Sequence, residues 1–422
     1  MELKPKGYEK IIQLINKGVN IPNPLTLDIG EEVNVERISG DGVSIYPGCR
    51  IYGGETLIAS GAQIGYEGPA TIEDCQIGPK VELKGGYFKE AVFLEGVSMG
   101  LAAHVREGCI LEEQAGGAHC VGLKQTILFP FVTLGSLINF CDCLMAGGGS
   151  RKDHSEVGSS YIHFNFTPSG DKTAPSLIGD VPRGVMLNQP PIFLGGQGGM
   201  VGPLRLGYGN VVAAGTILRQ DFNVENKLIV GKTHRGAVID FNPYAYAYPD
   251  LFRAVENNFL YLANLMALEQ WYVHVRQPFF SGQAFGELIY TGLLDKLTLA
   301  REERIKRLKA MAGEIAVSLK KTGSKGQGGP GRREFHENIE RACELFSGMI
   351  PADAAAEHRD HFLTLFFEHK KDMDGTYVEV VKSLPTAVSK EGTLWLDKII
   401  LERCQRVAAL FPSLELFKKM IF

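Results

Sequence analysis

The 422-residue sequence has no long apolar run, either at its start or later. A membrane-spanning helix needs about 20 mostly apolar residues, and a secretory signal needs an apolar core behind basic residues. The eight cysteines have no regular spacing, so they do not predict a disulfide framework. A chain of this size without an export signal keeps its thiols reduced. We therefore expect a soluble, cytoplasmic protein that makes no contact with membranes.

The sequence also has little excess charge. Lysine and arginine (44) nearly balance aspartate and glutamate (48), which leaves a formal net charge of −4 at pH 7. Binding to nucleic acid or to an anionic membrane usually needs a clear excess of positive charge, so we expect neither partner. Cys141 and Cys143 flank an aspartate, but no second cysteine pair follows at a zinc-like spacing. We therefore predict no metal site.

Glycine, in contrast, is abundant, with 50 residues that are concentrated before residue 240. Helical periodicity is absent from about residue 25 to 240, and an apolar residue instead recurs every six positions between 91 and 132. A small or β-branched residue stands two positions before each of them, and the same register returns near Ile51 and Val212. The positions of the repeat are Phe93, Met99, Val105, Leu111, Gly117, Leu123 and Phe129.

This repeat predicts a left-handed parallel β-helix. Residues two apart in a strand point to the same side. A period of six therefore indicates short strands that turn at fixed intervals and stack coil upon coil, with three blocks, or about 18 residues, in each coil. Cys49, Cys75 and Cys109 occupy the small inward position of their blocks, and we expect them to fill the core.

The rest of the chain has helical character. A short amphipathic helix is predicted over Tyr8–Lys17, and the composition changes again after Phe241. From there apolar residues recur at helical spacing, interrupted by a Gly-rich polar segment at 323–334. The predicted class is mainly β plus α. Residues 1–24 form a helix and lead-in, 25–240 a β-helix with an inserted loop near 145–176, and 241–422 an α-helical domain.

Charged residues interrupt the repeat at one recurring position. Arg106 and Lys124 each follow the inward aliphatic residue, where a β-helix normally has a small side chain, and they are one predicted coil apart. Asp142 stands at the next such interval. Two cations and a carboxylate in a column could hold the phosphate and the hydroxyls or amine of a sugar phosphate. The alternative is a ladder of charges on a solvated face.

A polar, Gly-rich segment at 145–180 interrupts the repeat and contains His154, His163, Asn165 and Lys172. Long loops on a rigid scaffold are common places for a functional site. A lone histidine is more often structural than catalytic. Two histidines beside a basic column nevertheless make a general base conceivable, since imidazole titrates near neutral pH.

The strings VGSSYIHFNF, DKTAPSLIGD and VGPLRLGYGNVVAAGTILRQD carry a family resemblance. Residues 90–235 resemble the acetyltransferase half of the bifunctional bacterial N-acetylglucosamine-1-phosphate uridylyltransferase/glucosamine-1-phosphate acetyltransferase family. The resemblance implies a left-handed β-helix, acetyl-CoA as co-substrate, a substrate from the UDP-N-acetylglucosamine pathway, and a homotrimer with sites between subunits.

The resemblance also implies roles for single residues. Arg106 matches the family's sugar-phosphate arginine, and Lys124 matches the lysine one coil later. Asn165 matches the asparagine of an Asn-Tyr pair, and Lys172 matches the next pocket lysine if a short insertion is allowed. On the acetyl-CoA side, Ala213 and Ala214 match the coil that the coenzyme arm follows, and Lys232 falls near an arginine at the coenzyme's end.

Three departures from the family pattern affect the expected activity. Counting without gaps from Lys124 places Ser136 where the family has its catalytic histidine, and Asn139 where it has a tyrosine. The loop between 142 and 165 is longer than the family's. The sequence has no uridylyltransferase motif, so we do not expect pyrophosphorylase activity. With the family histidine replaced, His163 is the first candidate for the general base because it lies beside Asn165, and His154 is the second.

Two hypotheses remain open at this point. The first is an acyl-CoA-dependent transferase that acts on an amino sugar phosphate or a nucleotide sugar, with Arg106, Lys124, Ser136, Asn139, Asp142, Asn165 and Lys172 around the acceptor. The second is a non-catalytic β-helix that binds a nucleotide sugar or scaffolds a partner through its helical domain. The replacement of the family histidine by Ser136 motivates the second.

Overall fold

Short parallel strands stacked in coils form the first half of the protein, as seen in a computed structural model. The structure describes residues 4–167, 171–231, 236, 238, 248–322, 329–348 and 355–418. A single helix, α1 (Tyr8–Lys17), covers the start of the coil stack over the predicted range, and its buried side chains are Ile11 and Leu14. The predicted β-helix is confirmed as a parallel β-solenoid of about 11 turns followed by a helical C-terminal region.

The coils have three faces, and strands are numbered β1–β28 in chain order. Face 1 contains β1 (Asp28–Ile29), β3 (Arg50–Tyr52), β6 (Ala70–Glu73), β9 (Gly86–Lys89), β12 (Ala103–Val105), β21 (Ile162–Phe164), β24 (Gly199–Val201) and β27 (Ile217–Leu218). Face 2 contains β4 (Leu57–Ile58), β7 (Gln76–Ile77), β10 (Ala91–Phe93), β13 (Cys109–Leu111), β22 (Ser176–Ile178) and β25 (Arg205–Leu206). Face 3 contains β2 (Ser44–Ile45), β5 (Gln63–Ile64), β8 (Glu82–Leu83), β11 (Ser98–Met99), β14 (Gly116–Gly117), β16 (Thr133–Leu134), β20 (Glu156–Val157), β23 (Phe193–Leu194), β26 (Val211–Val212) and β28 (Leu228–Ile229).

Two longer strands, β15 (Gly122–Leu128) and β17 (Asn139–Met145), bend across the edge between faces 1 and 2. The bend is made by a residue with positive φ, Gln125 in β15 and Asp142 in β17. Asp74 and Glu90 adopt the same left-handed conformation at this edge in earlier coils. Asp and other short polar residues tolerate this conformation better than β-branched residues do.

The predicted inward positions from Phe93 to Leu123 are buried except Gly117, which is half-buried, and Cys49, Cys75 and Cys109 fill the core with free thiols. Phe129 is buried as well, but Leu128 takes its predicted place opposite Leu111. The coil length, however, changes along the chain. Val105 pairs with Leu123, which is the expected interval of 18, whereas Leu123 pairs with Phe140, which is one residue shorter. Positions predicted by counting in eighteens are therefore displaced by one residue beyond Lys124.

The region near 145–176 differs from the single inserted loop that the sequence predicted. A short antiparallel hairpin, β18 (Gly148–Ser150) and β19 (Asp153–His154), projects from the edge between faces 2 and 3. Strands β20 and β21 then resume the coil, and a second excursion precedes β22. A third excursion, after β22, contains the helix α2 (Val181–Gly184).

The C-terminal region is helical, as predicted, and its first described helix starts at Leu251 with an N-cap from Asp250. The predicted boundary between residues 240 and 241 lies outside the described residues. The helices are α3 (Leu251–Trp271), continued by a π-helical turn at Tyr272–Arg276, α4 (Gln277–Phe280), α5 (Gly286–Thr322), α6 (Pro330–Ser347), α7 (Ala356–Lys371), α8 (Tyr377–Lys382) and α9 (Thr386–Ala408). An aromatic cluster of Trp271, Phe362 and Trp395 forms part of their core.

The helical domain packs on face 2 of the solenoid. Helix α5 lies against β7, β10 and β13, and α3 lies against β22. Arg276, only 1% exposed, donates to Glu112 at 3.1 Å and to Glu113, and the Tyr272 hydroxyl donates to Glu112. A buried charge needs a partner of opposite sign and its hydrogen bonds. This network therefore fixes how the two regions dock, while the outward side chains of face 1 (Ile162, Ile217) and face 3 (Phe193, Val211, Leu228) stay exposed.

Candidate functional site

Four of the predicted site residues lie around one small cleft at the edge between faces 1 and 2. We call it the lysine cleft, and its volume is about 70 Å³. Its solenoid wall comes from β15, β17 and the excursion before β22, and its other wall is helix α5. It is lined by Lys124, Asp142, Asn165, Lys172, Ala174, Glu303, Arg304 and Arg307.

Asp142 is at the floor of the lysine cleft, but it does not continue the predicted column. The residue paired with Lys124 in the next coil is Cys141, because that coil is one residue shorter, and Asp142 occupies the bend that follows. Its carboxylate accepts hydrogen bonds from Arg304 at 2.7 Å and from the Asn165 amide at 3.4 Å. Asp142 therefore organises the cleft rather than leaving a free carboxylate for an acceptor hydroxyl.

Arg106 and Lys124 do lie one above the other on face 1, since Val105 pairs with Leu123. Glu107 lies between their charges, with Lys124 Nζ at 2.7 Å and Arg106 Nε at 3.4 Å. Burial raises the pKa of Glu107, but the hydrogen bond from Lys124, the backbone amide of Glu107 and the charges of Lys124 and Arg106 together hold the pKa below its ordinary value. About half of the Arg106 side chain is exposed, so both cations can still reach an anion in front of face 1.

His163 does not have the position that a general base needs. It is 3% exposed inside the solenoid, where its Nδ1–H donates to the Cys141 carbonyl and the Ser176 hydroxyl donates to its Nε2 at 2.8 Å. Burial lowers its pKa to about 4. A base must present a free lone pair to the proton that it removes. Both ring nitrogens of His163 are already hydrogen-bonded, so it has no free lone pair and stabilises the core instead. Asn165, two residues further on, does line the cleft.

His154 lies in the hairpin at the edge between faces 2 and 3, away from the lysine cleft at the edge between faces 1 and 2. Its Nε2 is 4.0 Å from Glu156, and its Nδ1 is buried without a hydrogen-bond partner among the described residues. Arg151 anchors the hairpin by donating to the carbonyls of Gln114 and Phe131 at 3.0 Å. The structure therefore does not bring His154 together with the other candidates.

The third edge, between faces 3 and 1, contains Ser136 and a histidine that the sequence did not single out. Ser136 Oγ lies 2.9 Å from Nδ1 of His119, which is the equivalent residue of the preceding coil. His119 is exposed, and its Nε2 has no hydrogen-bond partner in the part of the chain that the structure describes. Ser136, which counting without gaps aligned with the family histidine, thus holds the ring of another histidine. Asn139, three residues further on, is exposed at the start of β17.

Small residues continue this edge above Ser136 through successive coils. Ser159 lies above Ser136, and Gly196 and Ala214 occupy the equivalent position in the next two coils. This follows from the pairing of Leu134, Val157, Leu194 and Val212 in successive strands. We call His119, Ser136, Ser159, Gly196 and Ala214 the small-residue edge. A Cβ on the neighbouring Gly195 would come within 2.4 Å of the Ala214 nitrogen, so the packing permits no larger side chain there. Ala213 and Ala214, the predicted coenzyme residues, therefore stand on the same edge as Ser136, whereas Lys232 lies outside the described residues.

A larger cavity, of about 1010 Å³, lies between the last coils and the helical domain. Its charges pair with one another: Arg205 binds Asp221 at 2.9 Å and Glu256 at 3.0 Å, and Arg183 binds Asp180. Burial and the nearby Asp180 raise the pKa of Asp397 in its wall to about 7. We favour the smaller lysine cleft because only there do the independently predicted residues converge.

Two further properties bear on the class of protein. Among the described residues, no helix is long and apolar enough to cross a membrane. The same residues contain no group of three or more His, Cys, Asp and Glu side chains placed to hold a metal ion.

The coils define the class of protein: a hexapeptide-repeat β-solenoid with a C-terminal helical domain. No family model matches the chain. It is 29% identical over 211 residues to the bifunctional protein GlmU of Trichlorobacter lovleyi, which covers 50% of this chain and 40% of that protein. It is 28% identical over 213 residues to the bifunctional protein GlmU of Thermotoga maritima, covering 50% and 42%.

These relatives confirm the predicted resemblance to the acetyltransferase half of the bifunctional family. The chain spans less than half the length of the curated relatives that it matches. Among solved structures, the polysialic acid O-acetyltransferase OatWY is 16% identical and covers 50% of this chain and 80% of that chain, with a TM-score of 0.17. A likeness at that score carries no structural argument.

Three residues of these edges were missed from the sequence. His119 could have been found, because it precedes Ser136 by one 17-residue coil, and that coil length was hidden by counting in eighteens. Arg304 and Arg307 could not have been found, because their helix shows an ordinary amphipathic pattern and only docking on face 2 brings them to the lysine cleft.

Proposed function

We propose that this protein is an acetyl-CoA-dependent acetyltransferase that acts on an amino sugar phosphate or a nucleotide sugar in the cytoplasm. The observation that carries the proposal is the convergence of Lys124, Asn165 and Lys172 on one cleft, although Lys124 is in β15 and the other two are in the excursion before β22. The relatives named above support a sugar-related acyl transfer. Arg106, Lys124 and Lys172 would bind phosphate, and Asn165 and Asn139 would contact the sugar.

The small-residue edge suits the pantetheine arm of acetyl-CoA, since Gly196 and Ala214 place no bulky side chain on this edge in the coils above Ser136. When bound, this co-substrate would supply an activated acyl group as a thioester. Ala213 and Ala214 would contact the arm, and Lys232 would bind near its far end. These coenzyme roles rest on the resemblance and on the small size of the residues at this edge.

His119 is the residue that best fits the general base of such a reaction. The acceptor amine or hydroxyl must lose a proton as it adds to the acyl carbon, and a positioned base accelerates that step by about 10²–10⁴-fold. If His119 Nδ1–H donates to Ser136, the free Nε2 carries the lone pair that can accept this proton. The exposed ring at the open edge meets this requirement, which His163 in the core and His154 at the opposite edge do not.

A second candidate function is supported by Ser136 itself. A chain without the family histidine could bind a nucleotide sugar without turning it over, or scaffold a partner through its helical domain. This alternative predicts ligand binding that is insensitive to His119→Ala and is not accompanied by any release of coenzyme A.

The test is thiol release from acetyl-CoA, measured colorimetrically with a panel of amino sugars, their 1-phosphates and UDP-amino sugars. We expect release that depends on one phosphorylated acceptor and is lost in Arg106→Ala. If no acceptor gives release while a UDP-sugar raises the melting temperature, the binding function replaces the transferase.

We also propose a homotrimer, which the resemblance implies. Its support in the structure is the set of exposed apolar side chains on the two uncovered faces. These are Ile162 and Ile217 on face 1 and Phe193, Val211 and Leu228 on face 3.

A further inference from the structure

We propose that the helical domain takes part in substrate recognition, with Arg307 of α5 as a specificity-determining residue for the acceptor's phosphate. This inference rests on the proposed function and assigns a role to the half of the chain that the resemblance does not cover. In the proposed complex, the acceptor's phosphate lies between Lys124 and Lys172 of the solenoid on one side and Arg307 of the helical domain on the other.

The position of α5 at the lysine cleft is fixed by a buried contact. Arg304 donates to Asp142 at 2.7 Å and to the Ala174 carbonyl at 2.8 Å, and its side chain is 5% exposed. Breaking such a pair leaves an uncompensated buried charge, so the helix cannot leave the cleft without a large cost. Arg307 is three residues further along, on the same face of the helix as Arg304. The docking of Arg304 therefore places Arg307 in the wall of the cleft.

The charges around the cleft favour an anion. The lining contains four cations, Lys124, Lys172, Arg304 and Arg307, and two carboxylates, Asp142 and Glu303. Arg304 pairs with Asp142, Arg307 with Glu303 and Lys124 with Glu107, so the excess positive charge of the cleft is that of Lys172. Lys172 is exposed and forms no ion pair among the described residues. An anion entering between these side chains would therefore meet a net positive wall.

Arg307 has donors available for such an anion. Its Nε donates to Glu303 at 2.7 Å, and its two terminal nitrogens have no partner within the described ranges. A guanidinium that is oriented through one nitrogen and free at the other two is suited to a phosphate, which can accept two parallel hydrogen bonds. Glu303 thus orients Arg307 but also competes with the phosphate for its charge.

The size of the cleft limits what can enter it. At about 70 Å³ it has room for several water-sized groups, each of which needs roughly 10–15 Å³. It can hold one phosphate but not a sugar or a nucleotide. The sugar ring must therefore lie outside, in front of face 1, while the phosphate is held between the two domains.

The experiment compares the binding of glucosamine 1-phosphate, glucosamine and inorganic phosphate by calorimetry in the full-length protein. Arg307→Gln removes the charge at the cleft. Lys306→Gln is the matched control, because Lys306 is the exposed adjacent residue and does not line the cleft. Glu303→Gln removes the competing carboxylate. Melting temperatures verify that each variant is folded.

We expect Arg307→Gln to weaken the binding of glucosamine 1-phosphate by about ten- to a hundredfold, as for the loss of a charge-assisted hydrogen bond. Its binding of glucosamine should not change, Lys306→Gln should behave like the wild type, and Glu303→Gln should bind the phosphate more tightly. In turnover, Arg307→Gln should raise KM for the phosphorylated acceptor and leave kcat nearly unchanged.

Two different results would overturn the inference. If the wild type prefers the phosphorylated sugar and Arg307→Gln keeps this preference while Lys124→Gln loses it, the solenoid alone binds the phosphate and the proposed function stands. If the wild type binds neither the sugar phosphate nor a UDP-sugar, the proposed function fails together with the role of α5. Equal binding of inorganic phosphate and glucosamine 1-phosphate would show that the cleft binds the anion alone and does not recognise the sugar, which contradicts the role of Arg307 in acceptor specificity.

Discussion

At the scale of single residues, His119 and His163 have opposite surroundings and should respond to substitution in opposite ways. We expect His119→Ala to lower kcat by about 10²-fold or more, because the exposed ring is the proposed base. The melting temperature should not change. Turnover and thermal unfolding, measured on the same preparation, test this prediction. The acceptor KM should change little.

Ser136→Ala serves as the companion variant, because Ser136 only orients the His119 ring. Its kcat should fall less than that of His119→Ala, and Ser136→Thr, which keeps the hydroxyl, should recover most of the loss. Full activity in His119→Ala would show that His119 is not the general base. The acceptor would then react without a base from the protein.

His163 should instead control stability as a function of pH. Because burial lowers its pKa from 6.5 to about 4, the unfolded chain binds a proton in this window that the folded protein does not bind. The contribution of His163 is therefore complete above pH 6.5 and is lost as the pH falls toward 4. The loss amounts to roughly 2–3 kcal/mol between pH 7.5 and 4.5.

Urea unfolding of the wild type and of His163→Gln at several pH values isolates this effect from the titration of carboxylates, which both proteins share. The difference in unfolding free energy between them should shrink by that amount as the pH is lowered. Parallel curves for the two proteins would show that His163 titrates normally.

The sequence could predict part of the site at this scale but not all of it. Lys124, Asn165 and Lys172 follow from the repeat and from the family strings, and the structure brings them together. His163 was misplaced because closeness in sequence to Asn165 does not fix orientation: β21 ends at Phe164, so His163 is still in the strand and Asn165 is beyond its end. Asn165 therefore follows the excursion and lines the cleft, whereas His163 points into the core.

At the scale of elements, the six-residue period fixes which side chains point inward, but it does not fix the length of each coil. The apolar positions repeat without a gap as far as Leu123, and the following coil then omits one residue at its edge. An omission at an edge leaves the inward pattern of the next strand intact. The sequence pattern therefore looks continuous, although the position of Asp142 has moved from the face to the bend.

Docking of the helical domain depends on the contact that Arg276, in the π-helical turn, makes with Glu112 of the solenoid. Arg276→Ala should destabilise the protein by about 3–5 kcal/mol, because it leaves Glu112 buried without its partner. Lys309→Ala is the control, since the Lys309–Glu340 pair is exposed on the surface and should contribute at most about 1 kcal/mol.

Denaturant unfolding followed by tryptophan fluorescence measures both variants, because Trp271 and Trp395 are in the core of the helical domain. A separate early transition in Arg276→Ala would show that the helical domain has detached while the solenoid remains folded. Equal stabilities of the two variants would contradict the assigned role of Arg276.

At the scale of the whole molecule, the sequence predicts the two regions but not how they are joined. The change from six-residue to helical periodicity after Phe241 separates them clearly. Their docking depends on buried contacts between residues more than 150 positions apart, such as Glu112 with Arg276 and Asp142 with Arg304. Charged residues of this kind resemble ordinary surface residues in a sequence, so no periodicity identifies their partners.

This arrangement determines which surfaces are available for assembly. Face 2 is covered by the helical domain, so we expect the proposed homotrimer to form through faces 1 and 3; on face 3, Phe193, Val211 and Leu228 lie side by side and exposed. We expect light scattering to give a mass three times that of the 46.2 kDa chain.

Val211→Asp should yield monomers, because it places a charge at the centre of the patch formed by Phe193, Val211 and Leu228. Val317→Asp, on an exposed apolar residue of α5, should remain trimeric. A trimeric Val211→Asp would exclude face 3 from the interface, and a monomeric wild type would contradict the trimer itself.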